Sequence, residues 1–328
     1  MAARRVSKTA DEQAKGPGNG LAARLRREPG FPVPSRLSAA LRDALADAPP
    51  EVRARLDAQM AAYPQARAVL AGVAAHSPFL TELIRVDPAR LARLLESDPV
   101  EALAAARAAM AAAVAATDDE ALAMAALRRL RAETALAVAL ADIGGVLDLA
   151  AVTAELTATA DACIAQAVDF LVREAVAARK LKKAAATGLG YTVLAMGKHG
   201  ARELNYSSDV DLIVLYDPDA APLGKNVEAG PFFVRLTQRL VKLIQERTGE
   251  GYVARVDLRL RPDPASTPAA LSLDAALDYY EREGATWERA AYIKARPIAG
   301  DIELGHVFLR HLSPFVWRRS LDLSLIHI

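Results

Sequence analysis

The chain has a single cysteine, Cys163, among 328 residues, so no internal disulfide can form, and no CxxC or HxxxH spacing offers a zinc site. A reducing, cytoplasmic setting fits this composition best. Net charge is also missing: 41 basic against 40 acidic residues leave +1, too weak a field to draw a polyanion, so nucleic acid is not an expected partner. Long hydrophobic runs are absent as well. The most apolar stretches, 103–116 and 135–149, are alanine-rich and interrupted by Arg107, Asp142 and Asp148, so neither reads as a membrane span. The opening MAARRVSK is basic, yet no apolar core follows it as a secretory signal requires. With 52% hydrophobic residues the chain is predicted to be a soluble globular protein with one large core or two medium ones.

Residues 1–36 hold Gly16, Pro17, Gly18, Pro29, Pro32 and Pro34 among charges, a composition that predicts a flexible N-terminal tail. From 37 to 186 the chain is rich in Ala, Leu, Arg and Glu, with breaks at Pro49-Pro50, Ser77-Pro78, Asp87-Pro88, Asp98-Pro99, Thr117-Asp118 and Gly144-Gly145. This predicts a series of helices. Asp98-Pro99 has the acid and proline expected at a helix start. Near Gly188 and Gly190 the apolar period shifts from helical to strand-like, so a second domain is expected over 187–312, with a further helical segment starting at 313. Within it, strands are expected over 191–196, 209–216 and 252–262. An amphipathic helix should bury Phe233, Leu236, Leu240, Leu243 and Ile244, and shorter helices should run from Ser272 or Asp274 to Tyr280 and over 287–295. The fold class is α+β: an all-helical N-terminal region, then a mixed sheet flanked by helices.

The chemistry concentrates at Asp209 and Asp211, one residue apart at the mouth of an apolar strand. Alternation sends both carboxylates to one face. Two acids there repel and are costly to desolvate unless a cation neutralises them, and oxygen donors suit Mg2+, with Mn2+ as an alternative. Asp257 lies on the charged face of the 252–262 segment among Arg255, Arg259 and Arg261. It is either a third acid for this site or the partner of Arg255 or Arg259.

A short apolar strand, a Gly-Lys turn, an Asp-x-Asp strand and a later Asp together resemble the nucleotidyltransferase superfamily of the DNA polymerase β type. The flanking residues narrow the likeness. Residues 197–212 read GKHGARELNYSSDVDL, 256–262 read VDLRLRP, and 287–296 read WERAAYIKAR. These blocks, with the helical stretch 127–174, resemble the glutamine synthetase adenylyltransferase family, whose members carry two homologous halves that add and remove AMP. The resemblance implies a polymerase β-like domain with Asp209, Asp211 and Asp257 as catalytic metal ligands. It also implies nucleotide or phosphate contacts from Gly197, Lys198, Ser208, Arg259, Lys294 and Arg296. A long helical lead-in before one site resembles the adenylyl-removing half, which implies phosphorolysis of adenylyl-tyrosine on glutamine synthetase. The partners so implied are glutamine synthetase, the PII signal protein, ATP or ADP, and orthophosphate. The loop after Pro262 lacks the glycines that the family carries there, and the SLIHI end reads as a truncated or foreign terminus.

Competing roles remain for individual residues. Lys198 is a phosphate ligand or a solvated turn lysine, and Ser207 and Ser208 contact phosphate or shape the loop. Trp287 reads as a core anchor. Glu288, Arg289, Lys294 and Arg296 form an ion-pair network under the site, or Lys294 or Arg296 touches substrate phosphate. His199 fits an exposed turn as well as acid–base work, and Cys163 fits inert packing. Two other functions stay open at this point: transfer to a different acceptor, and nucleotide binding without turnover.

Overall fold

The computed structural model describes residues 20–26, 37–182 and 188–317. Most of the expected tail and the end after Trp317 lie outside the described residues. Helices come first: α1 (Leu21–Arg24), α2 (Leu37–Ala44), α3 (Pro50–Ala62), α4 (Pro64–His76), α5 (Pro78–Val86), α6 (Pro88–Glu96), α7 (Pro99–Ala115), α8 (Glu120–Ile143) and α9 (Leu149–Ala177). Five of them open on a proline, where the missing N–H would have had no partner. The preceding residue often caps the helix. Ser77 Oγ accepts from Leu80 N at 3.3 Å and Asp87 Oδ1 from Arg90 N at 2.9 Å. Asp98 Oδ1 accepts from Val100 N at 2.9 Å and Glu101 N at 3.1 Å, as its sequence signature predicts.

The chain clusters into two compact units, 1–106 with 132–155, and 107–131 with 156–328. The first is helical, with a core that includes Leu56, Val69, Leu70, Ile84, Leu91 and Leu95. Arg90 in it is buried and pairs with Glu133 at 3.2 Å. The second unit holds every described strand. No single helix among the described residues is long and apolar enough to cross a membrane.

In the second unit the chain continues through β1 (Tyr191–Ala195), α10 (Gly197–Gly200), β2 (Val210–Tyr216), α11 (Ala229–Gln245), β3 (Val256–Asp257), β4 (Leu271–Ser272), α12 (Leu273–Arg282), α13 (Thr286–Tyr292), β5 (Arg296–Gly300) and α14 (Ile302–Val316). The sheet runs β3-β2-β1-β5, with β4 also on β2. β1 is antiparallel to both β2 and β5, whereas β2 is parallel to β3 and β4. The mixed sheet and its helices confirm the α+β class. β1 is buried along its whole length, which explains why it reads as an uninterrupted apolar run instead of an alternating one.

Both faces of the sheet are covered. On one, α11 buries Phe233, Leu236, Leu240, Leu243 and Ile244 as its period predicts, and Phe233 stacks on Tyr191 at 5.4 Å and Tyr216 at 5.0 Å. On the other, Leu194, Ile213 and Leu215 pack with Ala276 and Tyr280 of α12, Tyr292 of α13, and Phe308 and Leu312 of α14.

Three local expectations are corrected. The strand expected over 252–262 is only two residues long, because Arg261 turns the chain back, donating to the carbonyls of Leu258 at 2.9 Å, Pro264 at 2.8 Å and Thr267 at 3.0 Å. The helix expected over 287–295 ends at Tyr292, and residues from Arg296 form β5, a strand whose proline and short length hid it. Trp287 is 55% exposed instead of a core anchor; α13 buries Glu288 and Tyr292 instead.

Candidate active site

β2 and β3 are parallel and in register, so Asp211 stands directly beside Asp257, while Val210 N donates to Arg255 O at 2.9 Å. Asp209 precedes Asp211 by two residues and shares its face. The backbone therefore brings all three acids to one corner of the sheet, although the outermost, Asp209 and Asp257, are 48 positions apart. Burial, then the neighbouring Asp257 and Asp209 carboxylates, push the Asp211 carboxyl above its ordinary range.

The α10 turn sits against this corner. Met196 N donates to Asp211 O at 2.9 Å. Gly197 has φ +52°, and a Cβ there would lie 3.0 Å from Asp211 Oδ2. A glycine thus serves both the left-handed conformation and the close approach to the carboxylate. Gly200 is needed for a different reason, since a Cβ would fall 2.1 Å from Lys294 O and 2.6 Å from Ala195 O.

Two arginines engage the outer acids. Arg255 Nε donates to Asp209 Oδ1 at 2.5 Å and its Nη2 to Ser207 O at 2.8 Å. Arg259 donates to Asp257 through its backbone N at 2.8 Å, Nε at 2.9 Å and Nη2 at 2.5 Å. The Arg259 hydrogen bonds hold the Asp257 carboxyl below the usual carboxylate range. Among the described residues no three His, Cys, Asp or Glu side chains converge as a ready-made metal cage. The donor set nevertheless fits a hard divalent cation: two carboxylates in register, Asp211 and Asp257, with Asp209 close by, so that Asp211 is crowded by the other two. What differs from a cage is that Asp209 and Asp257 are turned to guanidinium partners.

Beneath the turn lies a network that the sequence reading missed. His199 is fully buried, and its Nε2 lies 2.8 Å from Asp161 Oδ1 of α9. Arg296 Nη1 and Nη2 donate to Asp161 Oδ2 at 2.8 Å and Oδ1 at 3.1 Å, and Nη2 also donates to His199 O at 3.2 Å. Asp161 sits 38 residues before His199 in a helical stretch without any motif, so no local signal marks it. Arg296 is committed to this network beneath the turn. Of the remaining sequence-predicted residues, Lys198 is exposed on α10, Lys294 pairs with Glu203 at 2.8 Å on the surface, and Ser208 Oγ accepts from Asn205 N at 3.2 Å, shaping the loop before β2. Glu288, which the sequence placed with the same cations, instead caps α13 at Ala285 N, 2.7 Å away.

The chain also matches known proteins. The family model for glutamate-ammonia ligase adenylyltransferase matches residues 67–311, which include the α10 turn and all three acids. A bifunctional glutamine synthetase adenylyltransferase/adenylyl-removing enzyme of Xanthobacter autotrophicus is 59% identical over 281 residues, 84% of this chain and 28% of the relative. The enzymes of the same name from Bradyrhizobium diazoefficiens and Rhodopseudomonas palustris are each 50% identical, over 94% and 93% of this chain and 31% of each relative. The chain thus spans about a third of the length of the curated relatives it matches. A family match over most of the chain and identities of this size leave one assignment: the chain belongs to the glutamate-ammonia ligase adenylyltransferase family.

Proposed function

We propose that this chain carries a nucleotidyl-transfer site that removes AMP from adenylyl-tyrosine of glutamine synthetase by phosphorolysis, releasing ADP. The observation that carries the reading is the β2–β3 register, which sets Asp257 beside Asp211 and Asp209 at one corner of the sheet. The relatives' names supply the protein substrate, and PII as a regulator enters through the family likeness. The long helical stretch ahead of the site supports removal as the direction.

Asp209, Asp211 and Asp257 would hold the divalent cation, Mg2+ or Mn2+. Bound there, it supplies the positive charge that phosphate oxygens require during transfer. An oxygen of orthophosphate forms the new bond to the α-phosphorus of the adenylyl group as the bond from phosphorus to the tyrosine oxygen breaks. The departing phenolate takes up the proton that the attacking phosphate gives up, leaving ADP and free tyrosine. The chain's own part is positional. The α10 turn, with Gly197 against Asp211, leaves room for a phosphate close to the backbone, and the Asp161 network fixes that turn from below.

The test is ADP release from adenylylated glutamine synthetase and orthophosphate. Asp209→Asn and Asp211→Asn are expected to lower the rate roughly 10³-fold with circular dichroism unchanged. Full activity in both variants overturns the assignment, and incorporation of AMP from ATP in place of its removal reverses the direction.

A further inference from the structure

We infer that Arg255 and Arg259 are exchangeable counter-cations: they hold the Asp209 and Asp257 carboxylates until a divalent cation takes them, and the released guanidiniums then serve phosphate oxygens of the nucleotide. This rests on the reading of the three acids as cation ligands. Four observations support it.

The first is where the arginines bind. Each donates to a carboxylate that a cation would need, Arg255 to Asp209 at 2.5 Å and Arg259 to Asp257 at 2.5 Å, while Asp211 between them stays crowded by carboxylates. The second is exposure. The Arg255 and Arg259 side chains are 55% and 82% exposed, over Asp209 at 45% and Asp257 at 16%, and pairs made by arginines this open to water are weakened by solvent and salt, so the guanidiniums exchange at little cost. Arg296 gives the contrast: only 21% exposed and bonded to Asp161 and to turn carbonyls, it is built to stay.

The third is charge. Three carboxylates against two guanidiniums leave one negative charge at the corner, which invites a cation. Adding a dication changes that to one positive charge, which suits a phosphate group. The fourth is tethering. Arg255 also donates to Ser207 O at 2.8 Å and the Arg259 backbone N to Asp257 at 2.8 Å, so either guanidinium can leave its carboxylate without leaving the site. Planar guanidiniums match phosphate oxygens in a bidentate way that lysine cannot.

The experiment is Mn2+ binding to the full chain, followed by the electron paramagnetic resonance signal of the free ion, with folding checked by thermal melts. Arg255→Gln and Arg259→Gln are expected to bind Mn2+ about 3- to 10-fold more tightly than the wild type. The gain should shrink at about 0.5 M KCl, where the exposed arginine–carboxylate pairs are screened in the wild type as well. The double variant should bind ADP about 10-fold more weakly in saturating Mn2+. Unchanged or weaker Mn2+ binding in both single variants, while Asp211→Asn loses it, overturns the exchange and leaves the cation site standing. If wild type and Asp211→Asn bind Mn2+ equally, the cation site itself fails, and the exchange fails with it.

Discussion

Asp161 of α9 and His199 of the α10 turn share a hydrogen bond of 2.8 Å, and the same carboxylate accepts two more from Arg296. One acid thus ties a helix, a turn and a strand end together directly beneath the candidate site. Burial by itself would raise its pKa, but the hydrogen bonds from His199 and Arg296 outweigh that and hold the carboxyl below the usual range. Because the folded-state value is depressed, its stabilisation is fully present above the unfolded value of about 3.9 and is lost as pH falls through the lower folded value. Asp161→Asn is expected to cost about 3 kcal/mol near neutral pH by leaving Arg296 poorly compensated. It should also lose less stability on acidification than the wild type does. Urea midpoints from about pH 6 down to pH 3 check both points, and parallel acid limbs would exclude Asp161 as their source.

Arg128 is the largest fully buried side chain among the described residues. It donates to Met124 O at 3.0 Å, Leu243 O at 3.1 Å and Gly251 O at 2.9 Å, and also to Glu246 O. The C-terminal carbonyls of α11 and the turn leading to β3 therefore depend on it. Arg128→Met should destabilise by about 3–5 kcal/mol. Hydrogen exchange should speed up first around residues 243–257, since their carbonyls share the arginine as a donor; a uniform change across the second unit would mean the arginine does not hold this segment.

Gly197 and Gly200 should separate in their effects. Alanine at 200 meets two backbone carbonyls and should destabilise by roughly 2–4 kcal/mol. Alanine at 197 incurs left-handed strain of about 1–2 kcal/mol and presses on Asp211, so its main effect should be an approximately 10-fold loss of Mn2+ affinity. Paired denaturation and Mn2+ titrations distinguish the two, and a Gly197→Ala variant with normal Mn2+ affinity contradicts the close approach to Asp211.

Cys163 is fully buried, and burial pushes its thiol up to about 12. Thiolate is the reactive form. An aromatic disulfide reagent should therefore modify the native chain roughly 10³-fold more slowly than the chain in urea. Rapid labelling of native protein would mean that α9 opens locally.

Much of the fold and the site was legible in the sequence. The helix starts at Ser77, Asp87 and Asp98, the buried face of α11 and the α+β class all follow from caps, prolines and apolar period, which are local properties of the chain. Asp209 and Asp211 stood out because strand alternation needs only neighbouring residues. Asp257 could be read either as a third acid or as an arginine partner. The structure shows both relationships, because register places it beside Asp211 while Arg259 binds it. β5 and the exposure of Trp287 were not legible, since a short strand containing proline and a half-exposed indole are set by what packs on them.

By itself the sequence determined the helical and strand periods, the acidic pair, and the glycine turn ahead of it, since each depends on residues within a few positions of one another. Only the tertiary structure decided that Asp257 stands in register with Asp211, that His199 is buried on Asp161, and that Arg296 is committed beneath the turn. These pairings join residues 38 to 135 positions apart. They exist because a sheet and the helices around it must bury their apolar faces together, and polar groups carried inward with those faces must find one another.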